Sequence, residues 1–159
     1  MLNTIRAAVI AVIGMMLSSV SPAQVIDTSR LFLGGGVSSN EVSGSDSAVG
    51  WQIFGGYEFG EVSRHVFIDA EVGYMDTGDM EKAGGDVKYN GLWATAVGRL
   101  LLTPNIELLG RAGMDFGDDD GFMAGIGVGF LITKKLKLRF EYVERDNTDS
   151  VQFNLVFYP

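Results

Sequence analysis

Few groups in this chain of 159 residues could do covalent chemistry. There is no cysteine and a single histidine, His65. Thiol catalysis, a disulfide scaffold, a cysteine zinc site and a multi-histidine metal site are therefore excluded within one chain. Ser63 and His65 are spaced so that, on a strand, they would share a face as a nucleophile and its base must. The stretch 60–65 reads instead as a turn, where a histidine is ordinarily solvated. No Gly-x-Ser-x-Gly elbow occurs. The run Gly34-Gly35-Gly36 and the alternating Gly125, Gly127 and Gly129 open no helix, so neither is a phosphate loop. The expectation is a protein that is no enzyme and carries no cofactor.

Charged residues set within apolar strings offer a different chemistry. Glu71, Arg99, Arg111, Arg139 and Glu141 each sit among aliphatic and aromatic neighbours. Asp118-Asp119-Asp120-Gly121 is a candidate cation-binding loop, which would bridge a divalent ion to lipid phosphates. It is not an EF-hand, because the twelve-position pattern and its final glutamate are missing. The net charge of −8 disfavours a nucleic-acid partner.

The elements that carry these residues alternate with a period of two. Val66, Ile68, Ala70, Val72 and Tyr74 fall on one face, and Phe67, Asp69, Glu71, Gly73 and Met75 on the other. Successive side chains of a strand point to opposite sides, so this is a strand with one oily and one mixed face. As a helix, Asp69 and Glu71 would interrupt any apolar stripe. The same reading places Arg99 opposite Leu100, Arg111 opposite Ala112, and Arg139 and Glu141 opposite Phe140 and Tyr142. With a first strand near 30–37, eight strands are expected. Long polar breaks fall near 38–48, 76–87, 117–121 and 144–150, and shorter ones near 60–65, 103–105 and 133–135. The long breaks are acidic and hold Glu41, Asp46, Asp76, Asp79, Glu81, Asp86, the Asp118 run, Glu144, Asp146 and Asp149, with Lys82 and Arg145 among them. They read as a solvated crown.

Residues 1–23 form a separate unit. Arg6 precedes an uncharged apolar run over 7–17, and Ser21-Pro22-Ala23 ends it in a small-x-small pattern. This is the order of a secretory signal peptide, with cleavage before Gln24. The run is shorter than the roughly 20 residues a spanning helix needs. The barrel domain is then 24–159.

An even number of strands, with short turns at one end and long loops at the other, is the pattern of a transmembrane β-barrel. A soluble eight-stranded barrel would turn its oily face inward. Here the oily face is nearly free of charge, while the opposite face mixes charges with glycine. Glycine is abundant, at 22 residues, about twice the usual ~7%. Such residues fit the lining of a narrow lumen. The fold class is thus all-β: an eight-stranded antiparallel up-and-down transmembrane β-barrel after an N-terminal signal peptide.

Several short motifs, in order, resemble the OmpA-type outer membrane barrel family. They are Gly55-Gly56-Tyr57, Glu71 within Asp69-Ala70-Glu71-Val72-Gly73-Tyr74, Arg99 before Thr103-Pro104-Asn105, Gly110-Arg111-Ala112-Gly113, and Leu138-Arg139-Phe140-Glu141-Tyr142. The resemblance covers nearly all of 24–159. It implies an outer membrane location in a Gram-negative cell and an interior network of Glu71, Arg99, Arg111, Arg139 and Glu141. It also implies insertion by the barrel assembly machinery, which reads a terminal aromatic. Phe157 has the expected oily-face position, with Tyr158-Pro159 after it. No peptidoglycan-binding domain is expected after the barrel, so a cell-wall tether is not implied. Glu71, Arg99, Arg111 and Glu141 are expected to meet at the centre of the lumen and plug it. The functional expectation is a monomeric structural or surface-interaction protein in contact with outer membrane lipids and lipopolysaccharide. The alternative is a small gated ion pore. A soluble carrier of apolar ligands is a third reading.

Overall fold

Alternation becomes eight antiparallel strands in the computed structural model, which describes residues 27–42, 46–81 and 85–159. Segment 1–23 and Lys82 lie outside the described residues. The strands are β1 (Leu31–Glu41), β2 (Ala48–Ser63), β3 (Val66–Asp76), β4 (Asn90–Thr103), β5 (Ile106–Asp115), β6 (Gly121–Thr133), β7 (Leu136–Glu144) and β8 (Asp149–Phe157). Each pairs with its sequence neighbour, and β8 returns to β1 through a ladder from Leu33↔Phe157 to Glu41↔Asp149. Closure leaves no sheet edge, so the backbone hydrogen-bonds within the barrel as hydrocarbon requires.

The two ends differ. The turns at 64–65, 104–105 and 134–135 are tight, and a register shift precedes each one, near Glu61/Ser63, Leu101/Thr103 and Leu131/Thr133. Thr103 and Thr133 each accept, through Oγ1, the backbone N–H two residues on, at 3.3 and 3.2 Å. His65 takes the left-handed conformation at φ 62°, and its N–H donates to Glu61 at 2.7 Å. One tie recurs at every turn. Leu101 N–H donates to His65 O, Leu131 N–H to Asn105 O, and Tyr158 N–H to Lys135 O, each at 2.9 Å.

At the loop end β1 runs further than the expected break allowed. β1 continues through Ser38, Ser39, Asn40 and Glu41, past the expected end at 37. These residues are polar, yet they pair with 149–152 of β8. The ladder continues after the oily face has ended, so a polarity-based boundary stops too early.

The faces are divided as alternation requires. Val49, Ile53, Val72, Leu92, Ile126 and Val151 are exposed on the outer wall. The outer face of β6, from Phe122 to Ile132, spans roughly 25 Å at ~3.3 Å per residue and a tilt near 40°, the height of the apolar band in such barrels. Inside, Phe32, Phe54, Met75, Trp93, Met123, Val143 and Val156 form the apolar core. Among the described residues no helix is long and apolar enough to cross a membrane, which leaves crossing by strands untouched.

Candidate functional site

Inward-facing positions of a strand recur every second residue, so each strand presents charges at several heights in the lumen. Glu71 of β3, Arg111 of β5 and Arg139 and Glu141 of β7 meet at one height. Arg139 donates to Glu71 at 2.6 Å and bridges Glu141 at 3.1 Å. Arg111 reaches Glu71 at 3.1 Å and Glu141 at 2.6 Å through the same nitrogen, Nη2. Each carboxylate therefore serves both guanidiniums, and the quartet is formally neutral. An amide relay extends it. Gln52 donates to Gln152 and to Asn154, both at 2.7 Å, and Asn154 donates to Glu141 at 3.0 Å. Such pairing offsets the several kcal/mol that burying an unpaired charge costs.

Arg99 does not join this quartet, contrary to the expectation of one central network. It lies nearer the turns, at the centre of a second cluster. It binds Asp69 at 2.6 Å, Glu107 at 3.0 Å and also Glu58. Lys137 completes the cluster, at 2.8 Å from Glu107 and 3.1 Å from the Tyr158 hydroxyl. The physical reason is height. Arg99 pairs across β4–β5 with Leu109, whereas Arg111 pairs with Val97, two residues further toward the loops. Alternation fixes which face a residue occupies; the register of the closed sheet fixes its level. Asp69, Glu107 and Lys137 were legible as inner-face charges by the same alternation but not as a cluster. Tyr158 turns inward, and its ring lies 5.3 Å from that of Phe32. A cavity of about 270 Å³ opens at the turn end onto Glu58, Arg99, Glu107, Lys137 and Tyr158.

A third pair closes the loop end. Arg145 was expected among solvated loop charges; it is buried instead, 2.8 Å from Asp115 and 2.9 Å from Ser150. Ser150 in turn donates to Asn40 at 2.7 Å, and Asn40 donates to Thr77 O at 2.9 Å.

Small inner residues make room for these groups. A Cβ at Gly127 would lie 2.8 Å from Glu141 Cγ, and one at Gly129 would lie 2.6 Å from Glu107 Oε1. Aromatic rings cover other glycines across the ladder: Phe54 covers Gly34, Phe32 covers Gly56 and Trp93 covers Gly73. The lumen is thus filled by ion pairs and by rings seated on bare backbone.

The loops are tied to one another. Asp46 N–H donates to Glu81 O at 3.0 Å, Asp118 N–H to Asn90 O at 3.0 Å, and Asn147 Nδ2 to Asp119 at 2.8 Å. Two residues of the candidate cation loop take part in these bonds. Asp118 turns its carboxylate to Asn90, while Asp119 is buried and turned to Asn147. Among the described residues no three acidic or histidine side chains are grouped to hold a metal ion. On the loop surface Lys88 pairs with Asp76 at 3.0 Å, and that hydrogen bond holds its amine above the usual lysine range. Ser63 and His65 lie at the turn rim, the opposite end from the loops.

No curated protein sequence is a significant match. Solved structures share the architecture at low identity. A de novo designed transmembrane β-barrel is 19% identical, covering 80% of this chain and 92% of that one, with a TM-score of 0.55. The attachment invasion locus protein Ail of Yersinia pestis, in complex with the heparin analogue sucrose octasulfate, is 14% identical over 80% and 95%, with a TM-score of 0.52. The outer membrane enzyme PagL is 11% identical over 79% and 98%, with a TM-score of 0.54. These likenesses concern the fold alone. Residues 10–156 match the model of the outer membrane protein beta-barrel domain, and the chain belongs to that family.

Proposed function

We propose that this chain is a sealed outer membrane barrel that acts through its loop surface, as a structural or surface-interaction protein. One observation carries the reading: the ion-pair clusters and the rings of Phe32, Phe54 and Trp93 occupy the lumen at successive levels. Eight strands leave an interior that side chains can fill. The outer wall would face lipid and the acyl chains of lipopolysaccharide, with the tied acidic loops outside. Segment 1–23 would direct export, and the assembly machinery would read β8 on insertion. A barrel that closes within one chain needs no second copy. The reading is non-enzymatic, because Ser63 and His65 sit at the rim opposite the loops.

The test is conductance of the purified barrel in planar bilayers. A sealed lumen gives no current steps above the bilayer background; frequent steps in the unaltered protein refute it. A small gated pore is the second reading. It is favoured by the sharing within the quartet, where Arg111 and Arg139 could exchange carboxylates and so supply two arrangements. Steps that appear only in Arg99→Ala or Glu141→Ala support gating. Silence in both variants removes it.

A further inference from the structure

Two neighbouring glycines of β2 face opposite ways and serve different ends. Gly56 points into the lumen, where a Cβ would collide with the ring of Phe32. Gly55 points outward. Apart from its chain neighbours, a Cβ there would meet only Leu33 Cδ2 at 3.5 Å and Phe32 O at 3.7 Å among the described residues. Both are ordinary van der Waals contacts. The backbone at 55 is not left-handed either. Neither packing within the described barrel nor conformation therefore asks for a glycine at 55.

The missing side chain leaves a groove in the outer wall. Register sets its sides. Leu33 of β1 and Val72 of β3 are the cross-strand partners of Gly55, and Leu31 and Ala70 are those of Tyr57. Leu33 and Val72 are each more than half exposed, so they stand up on either side of a bare floor. The groove has a volume of about 640 Å³, the size of a small-molecule site, and its lining is almost wholly apolar. Thr28 and Pro159 line it at the turn end. Tyr57 packs edge-on against Phe59 there, with ring centroids 5.3 Å apart. Such rings mark the level where the apolar band meets the headgroups.

Position and chemistry select the occupant. The groove is continuous with the wall that an outer membrane barrel sets against lipid. Water finds too few polar partners on this lining to settle there. An unfilled groove forfeits the dispersion contacts of every atom that lines it. A hydrocarbon chain restores them at no cost in hydrogen bonds. The hydroxyls of Thr28 and Tyr57 belong to the lining at the turn end, where ester or phosphate oxygens can accept from them. The matching ligand is oily along its length and polar at one end. The short turns of such barrels are periplasmic, so this ligand belongs to the periplasmic leaflet. We propose that the Gly55 groove seats one acyl chain of a glycerophospholipid of that leaflet, with the glycerol end of the lipid at Thr28 and Tyr57. The site is on the outer wall and holds whether or not the lumen conducts.

The probe is dipalmitoyl phosphatidylethanolamine. It is titrated into the folded barrel in nonionic detergent, and native mass spectrometry counts the lipid bound. Binding should saturate at one lipid per barrel. Gly55→Leu fills the groove and should raise the half-saturating concentration at least tenfold. Gly110→Leu is the control: it lies on the outer face of β5, where a Cβ would meet only Gly125 O at 3.9 Å, and should leave that concentration unchanged. Binding that never saturates, or a midpoint that Gly55→Leu does not move, overturns the proposal. So does an equal loss in Gly110→Leu. A second measurement uses the unaltered chain in phosphatidylethanolamine vesicles, with a diazirine in one acyl chain. Its crosslinks should concentrate on the peptides that hold Leu33, Gly55 and Val72. Crosslinks spread evenly around the wall overturn the proposal. Crosslinks at these positions from lipid A, from a second copy of the chain or from residues 24–26 put another occupant in the groove and overturn it too.

Discussion

Replacing Glu71 with glutamine removes one of the two carboxylates that balance two buried arginines. Glu71 accepts from Arg139 at 2.6 Å and from Arg111 at 3.1 Å, and its side chain has no solvent exposure. Screening by water therefore does not reduce the effect. Breaking a buried pair from one side costs about 3–5 kcal/mol. Glu141 still binds both arginines after the change, so the low end applies, about 3 kcal/mol, or roughly two decades in the folding equilibrium. Glu58→Gln is the internal control. Its carboxylate is partly exposed, and Arg99 keeps Asp69 and Glu107, so the loss is under about 1 kcal/mol. Glu71→Gln combined with Arg139→Gln restores neutrality and keeps the Arg111–Glu141 pair. It should cost less than the sum of the two single changes by about 1–3 kcal/mol. Urea unfolding of the barrel in lipid vesicles, followed by tryptophan fluorescence, reads all three. If Glu71→Gln costs no more than Glu58→Gln, the quartet does not balance buried charge as described.

Gly127→Val and Gly129→Val drive a side chain into Glu141 and Glu107 and should each destabilise by about 1–3 kcal/mol in the same assay. Gly98→Val, on the outer face with nothing within 4 Å, should be neutral or slightly stabilising. Tyr158→Ala removes the ring against Phe32 and a bond to Lys137, at about 2 kcal/mol, whereas Tyr158→Phe should cost only about 0.5–1.5 kcal/mol. Burial pushes the Tyr158 phenol above the usual tyrosine range, so the folded state favours the neutral form. Its contribution is then fully present below about pH 10 and is lost as pH rises beyond that, a decline that Tyr158→Phe should lessen. Calcium should leave the thermal midpoint in detergent unchanged, because Asp118 and Asp119 are engaged by Asn90 and Asn147; a rise of several degrees refutes that arrangement.

The strands and their faces were legible because lipid outside and a packed lumen inside impose opposite demands on successive residues. Ile126 and Gly127 show the rule within one pair, and Arg99 and Leu100 show it again. Strand ends were less legible. Ser38 to Glu41 look like loop by polarity, yet the hydrogen-bond ladder holds them extended. The quartet was legible as a set of inner-face charges, but the level of Arg99 was not, since level depends on register summed around the barrel. Glu107 and Lys137 carried the same signal as Arg111 and were separable only by height. The burial of Arg145 had no local signal, because it depends on Asp115, thirty residues earlier in the chain.

Chemical access to single cysteines tests most directly the claim that the oily wall meets lipid and the charged lumen is sealed. The chain has no cysteine of its own, so each introduced thiol is read without background. Val97→Cys faces the lumen and Ile126→Cys faces outward. In vesicles, the thiol at 126 should react with a membrane-soluble maleimide and not with a charged thiosulfonate, and the thiol at 97 should resist both. Rapid reaction at 97 with the charged reagent would mean that water fills the lumen, and the account would be wrong.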